Sequence, residues 1–285
     1  MNKLTMLDYV KETPDVLKTN IEQYTTLVDP LMKEVQQKEI KRILLVASGS
    51  SHNACYCARS FVEKVSGLEV RIIMPYTFTY YENDIKENDL VLVVTQSGLS
   101  TNAIEALKII KKKECRAICL TGNKNSDVKD VADVVIEYGV GEELVGYVTK
   151  GVSSLALFLD LFAIAYSGKI EYLDELKKAV DLNEEMIDQA TSFIQQHYKN
   201  FSSMSWVYSC GAGANYGTAL ESALKMGETI HIPSCCYEIE EYIHGPNLQL
   251  TPQYNVIFFD GNDGASRRVE QVYKATRKVT NRAYL

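Results

Sequence analysis

Short apolar runs that end in serine, threonine or glycine and lead directly into helical patterns constrain this chain most. Ile43-Leu44-Leu45-Val46-Ala47 has no polar position and stops at Ser48-Gly49-Ser50-Ser51. A run of this length, bounded by Gly and Ser, reads as a strand covered on both faces, as the strands of parallel sheets are. Similar strands are expected at 70–74, 90–95, 117–121 and 134–137, with helices from about 53 to 65, at 101–112 and at 151–167. Strands alternating with helices in this way specify an α/β fold with a doubly wound parallel sheet.

After residue 200 the pattern restarts. A strand at 206–210, a glycine-rich loop at 211–217 and a helix at 218–230 are followed by a strand at 254–259, a helix at 265–279 and the beginning of a strand at 282–285. The first strands of the two halves begin at 43 and 206, 163 positions apart. The same offset carries the strand at 117–121 to 280–284, where Arg282-Ala283-Tyr284-Leu285 echoes Arg116-Ala117-Ile118-Cys119-Leu120, and carries the counterpart of 134–137 past the last residue. The expected architecture is therefore two tandem, doubly wound parallel sheets flanked by helices, the second incomplete at its C-terminus. Its expected parts are N-terminal helices over 1–42, a first α/β domain over 43–170, a polar connecting helix pair over 171–200 and a truncated second domain over 201–285. Within the opening segment, Thr13-Pro14 reads as an N-cap followed by a first-turn proline.

Charge and composition exclude some functions. Thirty Lys and Arg against 37 Asp and Glu give a net charge of −7. That balance fits neither a dedicated nucleic-acid binder nor electrostatic attachment to an anionic membrane. The longest apolar run, 153–166, is interrupted by Asp160 and reads as a buried helix rather than a membrane span. No secretory signal is read in Met1-Asn2-Lys3-Leu4-Thr5, which leads into the charged segment at 8–12. Seven scattered cysteines fit a reducing cytoplasm. Four histidines without zinc spacing, and the adjacent pair Cys235-Cys236, give no metal site.

Two loops carry the chemistry of the first half. Ser48-Gly49-Ser50-Ser51-His52-Asn53 comes after the first strand, and Thr95-Gln96-Ser97-Gly98-Leu99-Ser100-Thr101 after the strand at 90–95. Both lie at carboxyl ends of parallel strands and lead into helix N-termini, where open α/β sheets bind ligands and where unpaired N–H groups suit an anion. Neither loop holds Lys or Arg, which fits a phosphate bound by neutral donors. Ser and Thr are equally the preferred N-caps of any helix, and the pairing of two such loops is what favours a phosphate site. In the second half, Gly211-Ala212-Gly213-Ala214-Asn215-Tyr216-Gly217 has GxGxxxG spacing rather than the dinucleotide fingerprint, and there is no Walker A sequence. Lys225, Glu228 and His231 lie at helical spacing, and His244 precedes Gly245-Pro246 on a turn. A carboxylate with an imidazole can run acid–base chemistry on a small substrate. By spacing alone, Lys225 and Glu228 also make an ordinary surface pair and His244 a turn cap.

Taken together, these motifs resemble the sugar isomerase (SIS) domain family, in particular the isomerase half of glucosamine-6-phosphate synthase, and are similar to the fructosamine-6-phosphate deglycases. The resemblance rests on the segment 6–14, on Ser48-Gly49-Ser50-Ser51, on Thr95-Gln96-Ser97-Gly98, and on Ala223-Leu224-Lys225-Met226-Gly227-Glu228 with His244-Gly245-Pro246 after it. It implies that Ser50, Ser51, Thr95, Gln96, Ser97 and Ser100 hold a sugar phosphate. It further implies that Glu228 moves a proton between C1 and C2, that His244 opens the sugar ring from a neighbouring subunit, and that Lys225 belongs to the catalytic set, with Glu241 the acid before the His-Gly-Pro turn. Leu99 stands where the family usually has an acid, and Gly146-Tyr147-Val148-Thr149-Lys150 departs from the synthase pattern VASTK.

The expectation is thus an enzyme acting on a hexose 6-phosphate, an isomerase or deglycase of an amino sugar or fructosamine 6-phosphate. It would need no metal or cofactor, have no glutaminase activity of its own, and form a homodimer or higher homo-oligomer. The alternative is a non-catalytic sugar-phosphate sensor or regulatory protein, since fold alone does not fix function.

Overall fold

A computed structural model describes residues 4–36 and 38–285; Met1, Asn2 and Lys3, on which part of the signal-sequence reading rests, lie outside the described residues. The chain divides into two compact units, Met1–Glu185 and Met186–Leu285.

The first unit opens with α1 (Met6–Glu22) and α2 (Tyr24–Val35). Next come β1 (Arg42–Ala47), α3 (Gly49–Ser66), β2 (Glu69–Ile73), α4 (Pro75–Tyr80), β3 (Asp89–Thr95), α5 (Thr101–Lys112), β4 (Ile118–Thr121), β5 (Val134–Glu137) and α6 (Lys150–Ser167). The five strands are parallel in the order β2-β1-β3-β4-β5. Successive side chains on a strand point to opposite faces, and both faces here are covered. Ile43, Leu45, Leu92, Val94 and Leu120 pack with α1, α2, α3 and α6 in one core. Leu44, Val46, Val91, Val93 and Cys119 face α4 and α5 in the other. This double covering is why the strands read as unbroken apolar runs. The apolar segment expected to be a buried helix is α6. Lys150–Ser167 is long and apolar enough to cross a membrane by length and composition, and 61% of it is buried within the protein.

The polar segment expected to be a helix pair is one long helix, α7 (Tyr172–Gln196), with the short α8 (Tyr198–Ser202) after it. The second unit continues with β6 (Val207–Gly211), α9 (Ala214–Lys225), β7 (Ser234–Glu238), α10 (Ile239–Ile243), β8 (Asn255–Phe259), α11 (Ser266–Thr276) and β9 (Ala283–Tyr284). Its parallel strands run β7-β6-β8-β9, the same order as the first four of the first sheet. The internal duplication is thus real, and among the described residues the second sheet has no counterpart of β5.

Three local expectations are corrected. Thr13-Pro14 does not begin a helix. α1 begins eight residues earlier, at Met6, capped by Thr5, which exchanges hydrogen bonds with Asp8 in a capping box, and Pro14 lies inside it. Thr13 Oγ1 donates to the Tyr9 carbonyl at 2.8 Å. The helix expected at 218–230 starts at Ala214 and ends as α helix at Lys225, after which Met226–Ile230 winds as one π turn. β7 is a strand that the sequence pattern does not announce, because Ser-Cys-Cys-Tyr-Glu has no aliphatic run; as an edge strand it needs none.

Candidate functional site

The strand order places the two serine-bearing loops side by side. β1 and β3 are neighbours, with Ala47 opposite Val94, so the loops leaving these two strands emerge at the same end of the sheet. In a sheet of order 2-1-3-4-5 this is the switch point, where chain connections diverge to opposite faces and a crevice opens.

Helix α3 begins at Gly49, earlier than the expected position near 53, so Ser50 and Ser51 lie in its first turn, not in a preceding loop. The first N–H groups of a helix have no intrahelical acceptor, and the Ser48 side chain does not cap them. Those of Gly49, Ser50 and Ser51 therefore face the crevice end of the helix. α5 repeats the arrangement: Ser100 is its N-cap residue, yet its hydroxyl donates to Asn102 Oδ1 and accepts no capping bond from the helix amides. Two helix N-termini, each flanked by hydroxyls, make a favourable electrostatic environment for an anion. Ser50, Ser51 and Thr95 are buried and Ser97 is exposed. His52, in the first turn of α3, is buried too; burial pushes its imidazole below the usual range, against an opposing hydrogen bond with Asn53. A neutral ring there adds no cation, so the polar groups at this end of the helix are hydroxyls and amides.

The turn between β3 and α5 is fixed by close packing. Gly98 has φ +66°, and a Cβ there would lie 1.7 Å from Ser126 Oγ and 3.2 Å from Thr121 Oγ1. Ser126 is itself held through its hydroxyl on the Asn123 carbonyl, and the Val128 amide donates to the Gly98 carbonyl at 3.2 Å. Gly98→Ala is therefore expected to destabilise the first unit by about 1–3 kcal/mol, measured as a lowered urea midpoint. An unchanged midpoint would show that the turn yields without cost.

Gln96 is held through both its backbone carbonyl and its side-chain amide. Its carbonyl accepts from Gly122 N at 3.0 Å and Thr121 Oγ1 at 3.2 Å. Its Nε2 donates to Glu143 Oε1 at 3.0 Å, and its Oε1 accepts from the Tyr138 hydroxyl at 3.2 Å. Glu143 also accepts from the amides of Thr149 at 2.8 Å and Gly151 at 3.3 Å, at the N-terminus of α6. Sequence reading missed Glu143, since its partner Gln96 lies 47 positions away. Lys150, the last residue of the segment that departs from VASTK, is buried, pairs with Glu12 at 3.0 Å and lies over the Tyr9 ring at 5.2 Å. It anchors α1 to α6.

In the second unit, α9 and the π turn bring Lys225 and Glu228 together. Lys225 Nζ lies 2.6 Å from Glu228 Oε2 and 3.3 Å from Glu221 Oε1. The extra residue per turn of a π turn redirects the side chains beyond it, a distortion frequent at functional sites. His244 sits at the C-terminus of α10, exposed, and among the described residues its ring makes no hydrogen bond. Glu241 lies on the same helix, its amide capped by Glu238. Arg268 holds the Glu240 carboxyl below its usual range.

The second unit's counterparts of the serine loops are built differently. A Cβ at Gly211 would lie 2.1 Å from the Asn215 carbonyl oxygen, so glycine there serves a tight β6–α9 turn. Gly217 lies inside α9, not in a nucleotide-binding loop. After β8, Asp260 and Asp263 occupy the loop, a poor setting for phosphate. None of the seven cysteines forms a disulfide; burial pushes Cys119 up to about 12 and raises Cys55 and Cys210, which disfavours their thiolates.

Comparison with known proteins agrees with this geometry. The SIS domain family model matches residues 38–165. The glutamine–fructose-6-phosphate aminotransferase [isomerizing] of Clostridium perfringens (strain 13 / Type A) is 28% identical over 266 residues, which is 88% of this chain and 44% of that protein. The protein of the same name from Thermotoga maritima is 28% identical over 229 residues, 77% of this chain and 37% of that one. The chain thus spans less than half the length of these relatives. Among solved structures, the C-terminal domain of glucosamine-fructose-6-phosphate aminotransferase from Francisella tularensis superposes with a TM-score of 0.82 at 22% identity, covering 98% of this chain and 82% of that one. Glucosamine-6-phosphate deaminase from Thermotoga maritima gives 0.84 at 21% identity, covering 98% and 84%. Both show the fold of two parallel sheets flanked by helices. Residues 38–165, which hold this strand order, the serine-bearing helix N-termini and the Gly98 turn, are thus similar to the SIS domain family.

Proposed function

We propose that this protein acts on a hexose 6-phosphate bearing nitrogen at C1 or C2, either interconverting aldose and ketose forms or hydrolysing an Amadori compound, with water, to sugar phosphate and amine. The observation that carries this reading is the pair of helix N-termini at the β1/β3 switch point, lined by hydroxyls and without a cation. Such a site suits a phosphate on a polyol. The names of the relatives, an isomerizing fructose-6-phosphate aminotransferase and a glucosamine-6-phosphate deaminase, support the substrate class.

In this reading Ser50, Ser51, Thr95, Gln96, Ser97 and Ser100 hold the sugar phosphate, and that remote binding energy orients the reacting carbons. The Glu228 carboxylate takes a proton from one of C1 and C2 and returns it to the other through an enediol or enolamine. Lys225, 2.6 Å from that carboxylate, orients it. His244 opens the ring, reaching a neighbouring subunit of a homodimer; its exposure on the α10 turn leaves it accessible for that.

The test is turnover by the full chain, monitored by proton and phosphorus NMR with fructosamine 6-phosphates, glucosamine 6-phosphate and fructose 6-phosphate. Conversion of one of them separates deglycase from isomerase. Binding without conversion of any would make the protein a sugar-phosphate sensor.

A further inference from the structure

Gln96 is the one side chain of the β3–α5 turn held at both ends, and its holders all come from beyond β4. A carboxylate only accepts hydrogen bonds. Glu143 therefore dictates that the Gln96 amide nitrogen faces it and that the oxygen faces Tyr138. Burial, reinforced by the nearby charge of Glu143, raises the Tyr138 phenol, so it stays protonated and donates. The third component is an absence of side chain: a Cβ at Gly151 would lie 1.8 Å from Gln96 Oε1 and 2.6 Å from its Cδ. Tyr138, Glu143 and Gly151 together form a seat for this one amide.

A carboxylate that served only to cap α6 would use the Thr149 and Gly151 amides and have no need of Gln96. Glu143 holds all three at once, which ties the segment ahead of α6 to the turn that leads into α5. We propose that Glu143 is a positioning residue for phosphosugar binding, fixing Gln96 so that its second amide hydrogen and the turn it anchors are presented to the ligand. The inference rests on the reading that the loops after β1 and β3 hold the sugar phosphate.

The test is isothermal titration of the full chain with fructose 6-phosphate, alongside thermal unfolding of each variant. Glu143→Ala is expected to raise Kd about 3- to 10-fold, the loss of one or two hydrogen bonds' net worth. Glu143→Gln, which keeps an acceptor for Gln96, recovers most of the affinity. Gly151→Ala leaves Glu143 untouched but displaces the end of a flexible side chain; it is expected to weaken binding as Glu143→Ala does, with little change in Tm. In a Gln96→Ala background, Glu143→Ala is expected to add nothing. Wild-type affinity in both Glu143→Ala and Gly151→Ala, or additive losses in the double variant, would overturn the inference alone. No binding of fructose 6-phosphate by the unmodified chain would overturn the inference together with the reading beneath it.

Discussion

Glu228→Gln is expected to lower kcat on the phosphosugar substrate by about 10²–10⁴-fold, the usual contribution of a positioned general base, while leaving Kd within about twofold. Glutamine has the size of glutamate, and its amide oxygen can still accept from Lys225, which lies 2.6 Å from Glu228 Oε2. What it cannot do is take a proton from carbon. In the proposed reading the phosphate is bound by hydroxyls and helix amides of the first unit, so affinity and proton transfer fall on different residues. The readout is exchange of solvent deuterium into the substrate at C1 and C2, monitored by NMR with titrations in parallel. Undiminished exchange in the variant would remove Glu228 from the role of base. Loss of binding together with exchange would show that its carboxylate holds the ground state rather than the transition state.

The fold was readable because the first sheet is covered on both faces. Ile43 to Ala47 has no solvent-facing position, so the run is apolar throughout and can be neither an amphipathic helix nor a half-exposed strand. Serine and glycine beyond it marked the strand's end but not where the helix begins. Gly49 enters α3 at φ +58°, and Ser50 and Ser51 fall within its first turn. Local signals failed where distant contacts decide. Thr13-Pro14 has the form of a helix start, yet the capping box of Thr5 and Asp8 and the burial of Tyr9, Leu17 and Ile21 hold one continuous helix through the proline. β7 carries cysteines and a tyrosine and is a strand because β6 supplies its hydrogen-bonding partner. The hydroxyl-bearing residues of the candidate site were legible as short motifs. The seat of Gln96 was not, since Tyr138, Glu143 and Gly151 lie 42 or more positions along the chain and have no motif in common.

Arg42→Met should cost the first unit about 3–5 kcal/mol, because it leaves a buried carboxylate without its counter-charge. Arg42 and Asp89 are the first residues of β1 and β3 and stand opposite one another in register. The guanidinium grips the carboxylate through two bonds, Nε to Oδ1 at 2.9 Å and a terminal nitrogen to Oδ2 at 2.7 Å. The Asp89 side chain is only 3% exposed, so water cannot replace the lost partner. Burial alone would raise the Asp89 carboxyl; the Arg42 hydrogen bonds and the Lys86 amide outweigh it and hold the carboxyl below its usual value. A depressed folded pKa contributes stability that is present above the unfolded value of about 3.9 and is lost as pH falls through the folded value. In Arg42→Met the same carboxyl keeps its burial but loses the guanidinium, so its pKa moves up and acidification relieves the variant by protonating it. The stability difference between the unmodified chain and Arg42→Met is therefore expected to be largest near pH 7 and to narrow towards pH 4, as measured by urea midpoints of the first unit. Arg42→Met combined with Asp89→Asn, which removes the charge, should recover part of the loss at pH 7. An equal difference at both pH values, with no recovery in the double variant, would mean that the cost lies in lost packing of the arginine stem rather than in the buried charge.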